Sequence, residues 1–152
     1  MNEITLQAHA KINLTLDVTG KLPNGYHTVK MIMQTIGLHD DVTVARSTDS
    51  RITMESTNLA FLPTDDGNLA VRAAKLFFEQ TGAPCGGVHI RIFKRIPVAA
   101  GLAGGSTNAA AVLRALNTLY GTGLSVDALC SMGLKLGADV PYCIRGGSML
   151  AE

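Results

Sequence analysis

Pro97-Val98-Ala99-Ala100-Gly101-Leu102-Ala103-Gly104-Gly105-Ser106-Thr107-Asn108-Ala109-Ala110 lies between a β-like segment, Val88 to Ile96, and a strongly helical one. Its small residues admit two readings. In one, the run is a phosphate cradle: glycines let backbone N–H groups approach an anion without a Cβ in the way, and Ser106 and Thr107 add hydroxyl donors. The helix that follows aims its N-terminal N–H groups at the same place. In the other, the run is a tight crossover at which a helix packs closely on a sheet. Gly101, Gly104 and Gly105 lack the dinucleotide-binding spacing, and Gly105 stands where a Walker A lysine would precede the Ser/Thr.

Working outward, the first half of the chain is β-rich, with strands expected over Ile4 to Ala8, Ile12 to Val18, Val29 to Leu38, Val42 to Ala45 and Ile52 to Glu55. Ile12, Leu14, Leu16 and Val18 alternate with Asn13, Thr15, Asp17 and Thr19, as a strand with one wet face requires. Pro23-Asn24-Gly25 and His39-Asp40-Asp41 read as turns. A helix is expected from about Gly67 to Thr81, capped by Asp65 or Asp66 and followed by Gly82.

Beyond the glycine run, Ala109, Val112, Leu113, Leu116 and Tyr120 repeat at helical spacing, and Gly121 and Gly123 end that helix. Another helix, from about Val126 to Leu136, has Ser125 as its N-cap, with Asp127 and Lys135 placed to suit the helix dipole. Ala138-Asp139-Val140-Pro141-Tyr142-Cys143 then leads to a strand expected to begin near Ile144. The last residue, Glu152, falls in or just after that strand with no capping segment, which predicts a longer polypeptide.

A chain of 152 residues with 47% hydrophobic and 16% charged residues reads as one globular domain rather than a disordered segment. A net charge of +1 supplies no drive toward nucleic acid or an anionic membrane. Arg91, Lys94 and Arg95 form its one short basic cluster, either a solvated strand end or an aid to holding phosphates. Three cysteines without paired spacing read as reduced thiols of a cytoplasmic protein, and no leader or membrane-spanning run is expected. His9, His27, His39 and His89 lack ligand spacing, so no protein-bound metal is expected. The low charge fraction and an open sheet edge favour a homodimer.

Two charged residues interrupt apolar surroundings: Lys11 in His9-Ala10-Lys11-Ile12-Asn13-Leu14, and Asp139 in Gly137-Ala138-Asp139-Val140-Pro141. Each alone reads better as a strand-edge lysine with its head in water and a turn-forming aspartate than as a catalytic group. Taken with the glycine run and Gly25-Tyr26-His27, they make four segments that resemble, in order, the motifs of the GHMP kinases. Ala10-Lys11-Ile12-Asn13-Leu14 followed by Gly20-Lys21-Leu22-Pro23-Asn24-Gly25-Tyr26-His27 is the most specific of these marks. Lys94 to Ala110 is similar to the family's nucleotide loop, and Gly137 to Tyr142 to its catalytic-aspartate segment.

The resemblance implies an α/β (α+β two-layer) domain of the ribosomal-protein-S5-like type, the N-terminal ATP-binding domain of a kinase whose C-terminal domain lies outside this sequence. It implies ATP with Mg²⁺, and as substrate the 2-hydroxyl of 4-diphosphocytidyl-2-C-methyl-D-erythritol. Asp139 would accept the hydroxyl proton, while Lys11 keeps that carboxylate ionised and steadies the moving phosphoryl group. Asn13 and His27 would hydrogen-bond the substrate, and Tyr26 would stack on its base. Asn68 and Lys94 would contact the adenosine side. Pro97, Ala99, Ala100, Gly101, Leu102, Ala103, Gly104, Gly105, Ser106, Thr107 and Asn108 would wrap the phosphates, with Ser106 or Thr107 near Mg²⁺.

Where the family loop usually runs Gly-Leu-Gly-Gly-Gly-Ser-Ser, this chain has Ala103 third and Thr107 last. Alanine disfavours positive φ, so the change is harmless where that position keeps φ negative, and an intact loop with a small effect on affinity is expected. The competing readings are another small-molecule kinase of the same family, or a truncated nucleotide-binding module without turnover.

Overall fold

Apolar residues at alternate positions build a sheet, and apolar residues three and four apart build the helices that cover it. The computed structural model describes residues 2–21, 23, 27–98, 102–146 and 148–151, with side chains described for 2–14, 23, 32–98 and 102–146. The elements are β1 (Glu3–Lys21), β2 (His27–Arg46), β3 (Ile52–Ser56), α1 (Leu69–Thr81), β4 (Val88–Phe93), α2 (Gly104–Leu119), α3 (Val126–Leu134), α4 (Val140–Arg145) and β5 (Ser148–Ala151).

The sheet order is β1-β2-β4-β3. β2 pairs antiparallel with β1 along its length and with β4 over Asp41 to Arg46, while β5 joins it at Met31 to Gln34. β3 and β4 are parallel, a pairing that needs a crossover, and α1 supplies it. Val42 and Val44 of β2 and Val88, Ile90 and Ile92 of β4 are fully buried, beneath Phe77 of α1 and Leu113 and Leu116 of α2. Burying each such side chain stabilises the fold by roughly 1.5–3 kcal/mol. The two-layer α/β arrangement with helices on one face is the expected one.

Several local expectations are corrected. The segments Ile4 to Ala8 and Ile12 to Val18 are one strand, β1, whose register slips between His9 and Lys11. The Lys11 N–H leaves the ladder there and donates to the Leu102 carbonyl at 3.2 Å. His39-Asp40-Asp41 is no turn, since β2 runs through it; Asp40 is in phase with Val42 and Val44, and its side chain points into the helical layer. Of Pro23-Asn24-Gly25, Pro23 lies in a turn, and Asn24 and Gly25 lie outside the described residues.

β4 stops at Phe93 rather than Ile96 because the amides of Arg95 and Ile96 turn to the Asp40 carboxylate. Asn68, not Asp65 or Asp66, caps α1, its Oδ1 accepting from the Ala70 N–H at 2.9 Å. Gly82 closes the helix with φ of 67°. Ser125 caps α3 as expected, accepting from the Ala128 N–H at 3.1 Å.

The strand expected to begin near Ile144 begins instead at Ser148, as β5, and α4 occupies Val140–Arg145 before it. Pro141 fits a first helical turn, where no amide is needed, and Gly146 ends the helix with φ of 69°. α4 packs closely on α3 at Gly133, where an added Cβ would come within 2.7 Å of Val140 Cγ1. That contact fixes the start of α4, and Asp139 stands there.

Candidate active site

Lys11 reaches the interior because of the β1 irregularity. In a regular strand neighbours face opposite ways, yet Ala10 and Lys11 are consecutive and both buried. The Lys11 Nζ donates to Asn13 Oδ1 at 3.2 Å and stands 3.8 Å from Asp139 Oδ2. The ammonium is 5% exposed and the carboxylate 48%, so a fixed cation faces an acid that solvent or a ligand can reach. Asp139 occupies the N-cap position of α4 yet makes no capping bond. Its carboxylate is not committed to holding the helix.

Beside this pair lies Cys143, whose thiol is pushed up to about 11, by burial first and then by the negative charge of Asp139; a Thr107 hydrogen bond and the Lys11 charge oppose the rise. The thiol therefore stays neutral near pH 7 and is a poor nucleophile.

α2 begins inside the glycine run, so Gly104 to Asn108 form its first turns. Ala103 occupies the N-cap with φ 61° and ψ 31° and offers no capping side chain. This position is left-handed, and the condition for a harmless alanine is not met. The conformation costs an alanine roughly 1–2 kcal/mol, while glycine there would give up about 0.4–1 kcal/mol to the greater freedom of its unfolded chain. Ala103→Gly is therefore expected to stabilise by up to about 1 kcal/mol, read as a rise in Tm of about 1–4 °C. A fall in Tm would contradict the assignment of strain to this residue.

A cleft of about 320 Å³ opens at the N-terminus of α2, and Asn68, Lys94, Pro97, Gly104, Gly105 and Asn108 all line it, with Leu62 as part of its apolar wall. Six of the residues nominated for the nucleotide thus converge. Asn68 contributes from the start of α1, where its side chain is also held by the Pro63 carbonyl. Leu102 links the loop to Lys11 through its carbonyl. Ser106 is half-buried, while Thr107 is 4% exposed and lines a second cavity with Cys143 and Tyr142. Asn13 is exposed beside Lys11. His27 opens β2, paired with Lys21, and its side chain is not described. Tyr26, Ala99, Ala100 and Gly101 lie outside the described residues.

Sequence reasoning missed Asp40. Its side chain is fully buried, and its Oδ1 accepts from the amides of Arg95 at 2.6 Å and Ile96 at 2.9 Å. Its Oδ2 accepts from Lys94 Nζ at 2.6 Å and Asn108 Nδ2 at 2.9 Å. Asn58 brackets the same lysine, bonding its backbone N–H and C=O. The available signal was period: Asp40 falls on the inward-facing positions of a strand that continues to Val42 and Val44.

Among the described residues, no three His, Cys, Asp or Glu side chains are grouped to hold a metal, and no helix is long and apolar enough to cross a membrane.

Comparison with known proteins places this geometry. The family model for the GHMP kinases N terminal domain matches residues 68–147. The 4-diphosphocytidyl-2-C-methyl-D-erythritol kinase of Lachnoclostridium phytofermentans is 54% identical over 100% of this chain and 52% of its own length. The protein of that name from Alkaliphilus metalliredigens is 52% identical over the same shares. A crystal structure of a 4-(cytidine 5'-diphospho)-2C-methyl-D-erythritol kinase superposes with a TM-score of 0.80 at 37% identity, covering 97% of this chain and 51% of that one. The chain spans about half the length of the curated relatives it matches.

Proposed function

The chain belongs to the GHMP kinases, and from that premise we propose that it is the ATP-binding half of an enzyme that phosphorylates the 2-hydroxyl of 4-diphosphocytidyl-2-C-methyl-D-erythritol, a step toward isoprenoid precursors. In this reading a C-terminal half, as long again in the relatives, completes the substrate wall. The observation that carries the proposal is the apposition of Lys11 and Asp139 at 3.8 Å, with the Lys11 amide tied to the glycine loop through Leu102. Acceptor chemistry and nucleotide loop are thereby held in one frame.

Phosphoryl transfer asks for positioning and for compensation of charge more than for covalent chemistry. The residues at the α2 N-terminus suit a polyphosphate: Gly104 and Gly105 bring backbone close, and a 16-residue helix points its positive end at the site. A Cβ on Gly104 would sit 3.1 Å from Lys94 Nζ and 3.3 Å from Ile96 Cγ2, so bulk there would crowd the wall of the cleft. ATP would supply the phosphoryl group, and Mg²⁺ arriving with it would offset phosphate charge, with Ser106 or Thr107 as the loop hydroxyl that would hold it.

Asp139 holds the acceptor hydroxyl and takes its proton. Lys11, fixed by Asn13, stands against that carboxylate and faces the charge that develops during transfer. Asn13, exposed beside Lys11, would read the cytidyl group together with Tyr26 and His27.

The protein at the full length of its relatives is the material for the test. ADP release is expected with the cytidyl alcohol and not with mevalonate or homoserine. Turnover of either of those instead would assign the chain to another kinase of the family, and ATP binding without turnover would leave a nucleotide-binding module.

A further inference from the structure

We propose that Asp40 is a positioning residue for the nucleotide, acting through Lys94; the inference rests on the reading of the α2 cleft as the ATP site. Asp40 is fully buried at the inner face of β2 and does not line the cleft. Every group bonded to its carboxylate is a donor, and the two oxygens divide the work. Oδ1 holds the amides of Arg95 and Ile96, which shapes the turn leading from β4 into the glycine run. Oδ2 holds the Lys94 ammonium and the Asn108 amide, two side chains that do line the cleft.

The Lys94 ammonium has three donors. Among the described residues two are taken, by Asp40 Oδ2 at 2.6 Å and Asn108 Oδ1 at 3.1 Å. The same nitrogen abuts Gly104, where a Cβ would stand 3.1 Å away, so its third donor is presented at the N-terminus of α2. A lysine stem alone is flexible and would not hold that orientation. Asp40 supplies the anchor, and it also neutralises the cation, so that Lys94 enters the cleft as a fixed donor rather than a loose charge.

This division makes Asp40→Asn a selective probe. With its oxygen in the Oδ1 place, the asparagine keeps the Arg95 and Ile96 amides satisfied. Its NH₂ then faces the Lys94 ammonium and the Asn108 amide, donor against donor, and Lys94 is released while the turn survives.

The test is a cycle of Asp40→Asn, Lys94→Met and the double variant in the full-length enzyme, with the ATP dissociation constant measured by titration calorimetry beside the steady-state constants. Asp40→Asn is expected to weaken ATP binding about tenfold, the size of one lost charge-assisted hydrogen bond, with kcat and the KM for the alcohol within about threefold. The double variant should bind ATP as Lys94→Met does. A folded Asp40→Asn with wild-type ATP affinity would overturn the proposal, as would a further tenfold loss in the double variant over Lys94→Met alone. Should Asp40→Asn alone not fold, the comparison of the double with Lys94→Met decides, because the double buries no unpaired charge. Titration needs no acceptor, so an enzyme that binds ATP with these differences but ignores the cytidyl alcohol would sink the proposed substrate and leave the role of Asp40 standing. A wild-type protein that fails to bind ATP would sink both.

Discussion

Asp139→Asn in the full-length enzyme is expected to lower kcat by about a thousandfold while ATP binding stays within about threefold of wild type. The substitution keeps size and shape but removes the group that takes the proton. Of the described side chains beside it, Cys143 is held neutral by burial and by Asp139 itself, and Lys11 is engaged as the donor of the ion pair, so neither replaces it. The fold should survive, since Asp139 is half exposed and caps nothing, and Lys11 keeps its bond to Asn13. ATP affinity is preserved because Asp139 does not line the cleft at the α2 N-terminus. Single-turnover measurement of ADP formation reads the effect directly. A loss smaller than tenfold would remove Asp139 as the base and leave Lys11 to be explained as a structural lysine.

The parts of this site that were legible in the sequence are those set by local chemistry. Alternating apolar residues made β4 readable, Ser125 with Asp127 marked the start of α3, and glycines followed by a helical repeat marked the α2 N-terminus. Lys11 and Asp139 stood out because each interrupts apolar neighbours, and the fold brings them to 3.8 Å.

What escaped depends on contacts distant in sequence. His39-Asp40-Asp41 carries the composition of a turn, and only partners 54 to 68 residues away turn Asp40 into an inward strand residue. Asn68 was nominated through the family resemblance alone, while its place as the α1 cap, over either aspartate, rests on the geometry of a loop. The helix at Val140 to Arg145 is six residues long, too short for a period to show, and is held by its packing on Gly133. The left-handed backbone at Ala103 likewise has no local signature, since an alanine does not announce a positive φ as a glycine or asparagine does.

Removing the Asp40 carboxylate altogether is expected to have the largest effect on stability. Asp40→Ala leaves the Lys94 ammonium buried with Asn108 as its one partner among the described residues, and it strips the Arg95 and Ile96 amides of their acceptor. Breaking a buried pair from one side costs about 3–5 kcal/mol, because the remaining charge keeps its desolvation penalty and loses the attraction that offset it. For a domain of this size that corresponds to a fall in Tm of roughly 6–20 °C. Adding Lys94→Met removes the stranded charge, so the double variant should recover about half of the loss; what persists belongs to the donors left without Asp40, the Arg95 and Ile96 amides and Asn108 Nδ2, at about 1 kcal/mol or less each. The pattern matters more than the size of either change. If the double variant were no more stable than Asp40→Ala, the carboxylate would act through the backbone turn after β4 rather than through the ion pair. Recovery on loss of the lysine would instead show that the wall of the nucleotide cleft is held by opposite charges whose separate removal the core does not tolerate.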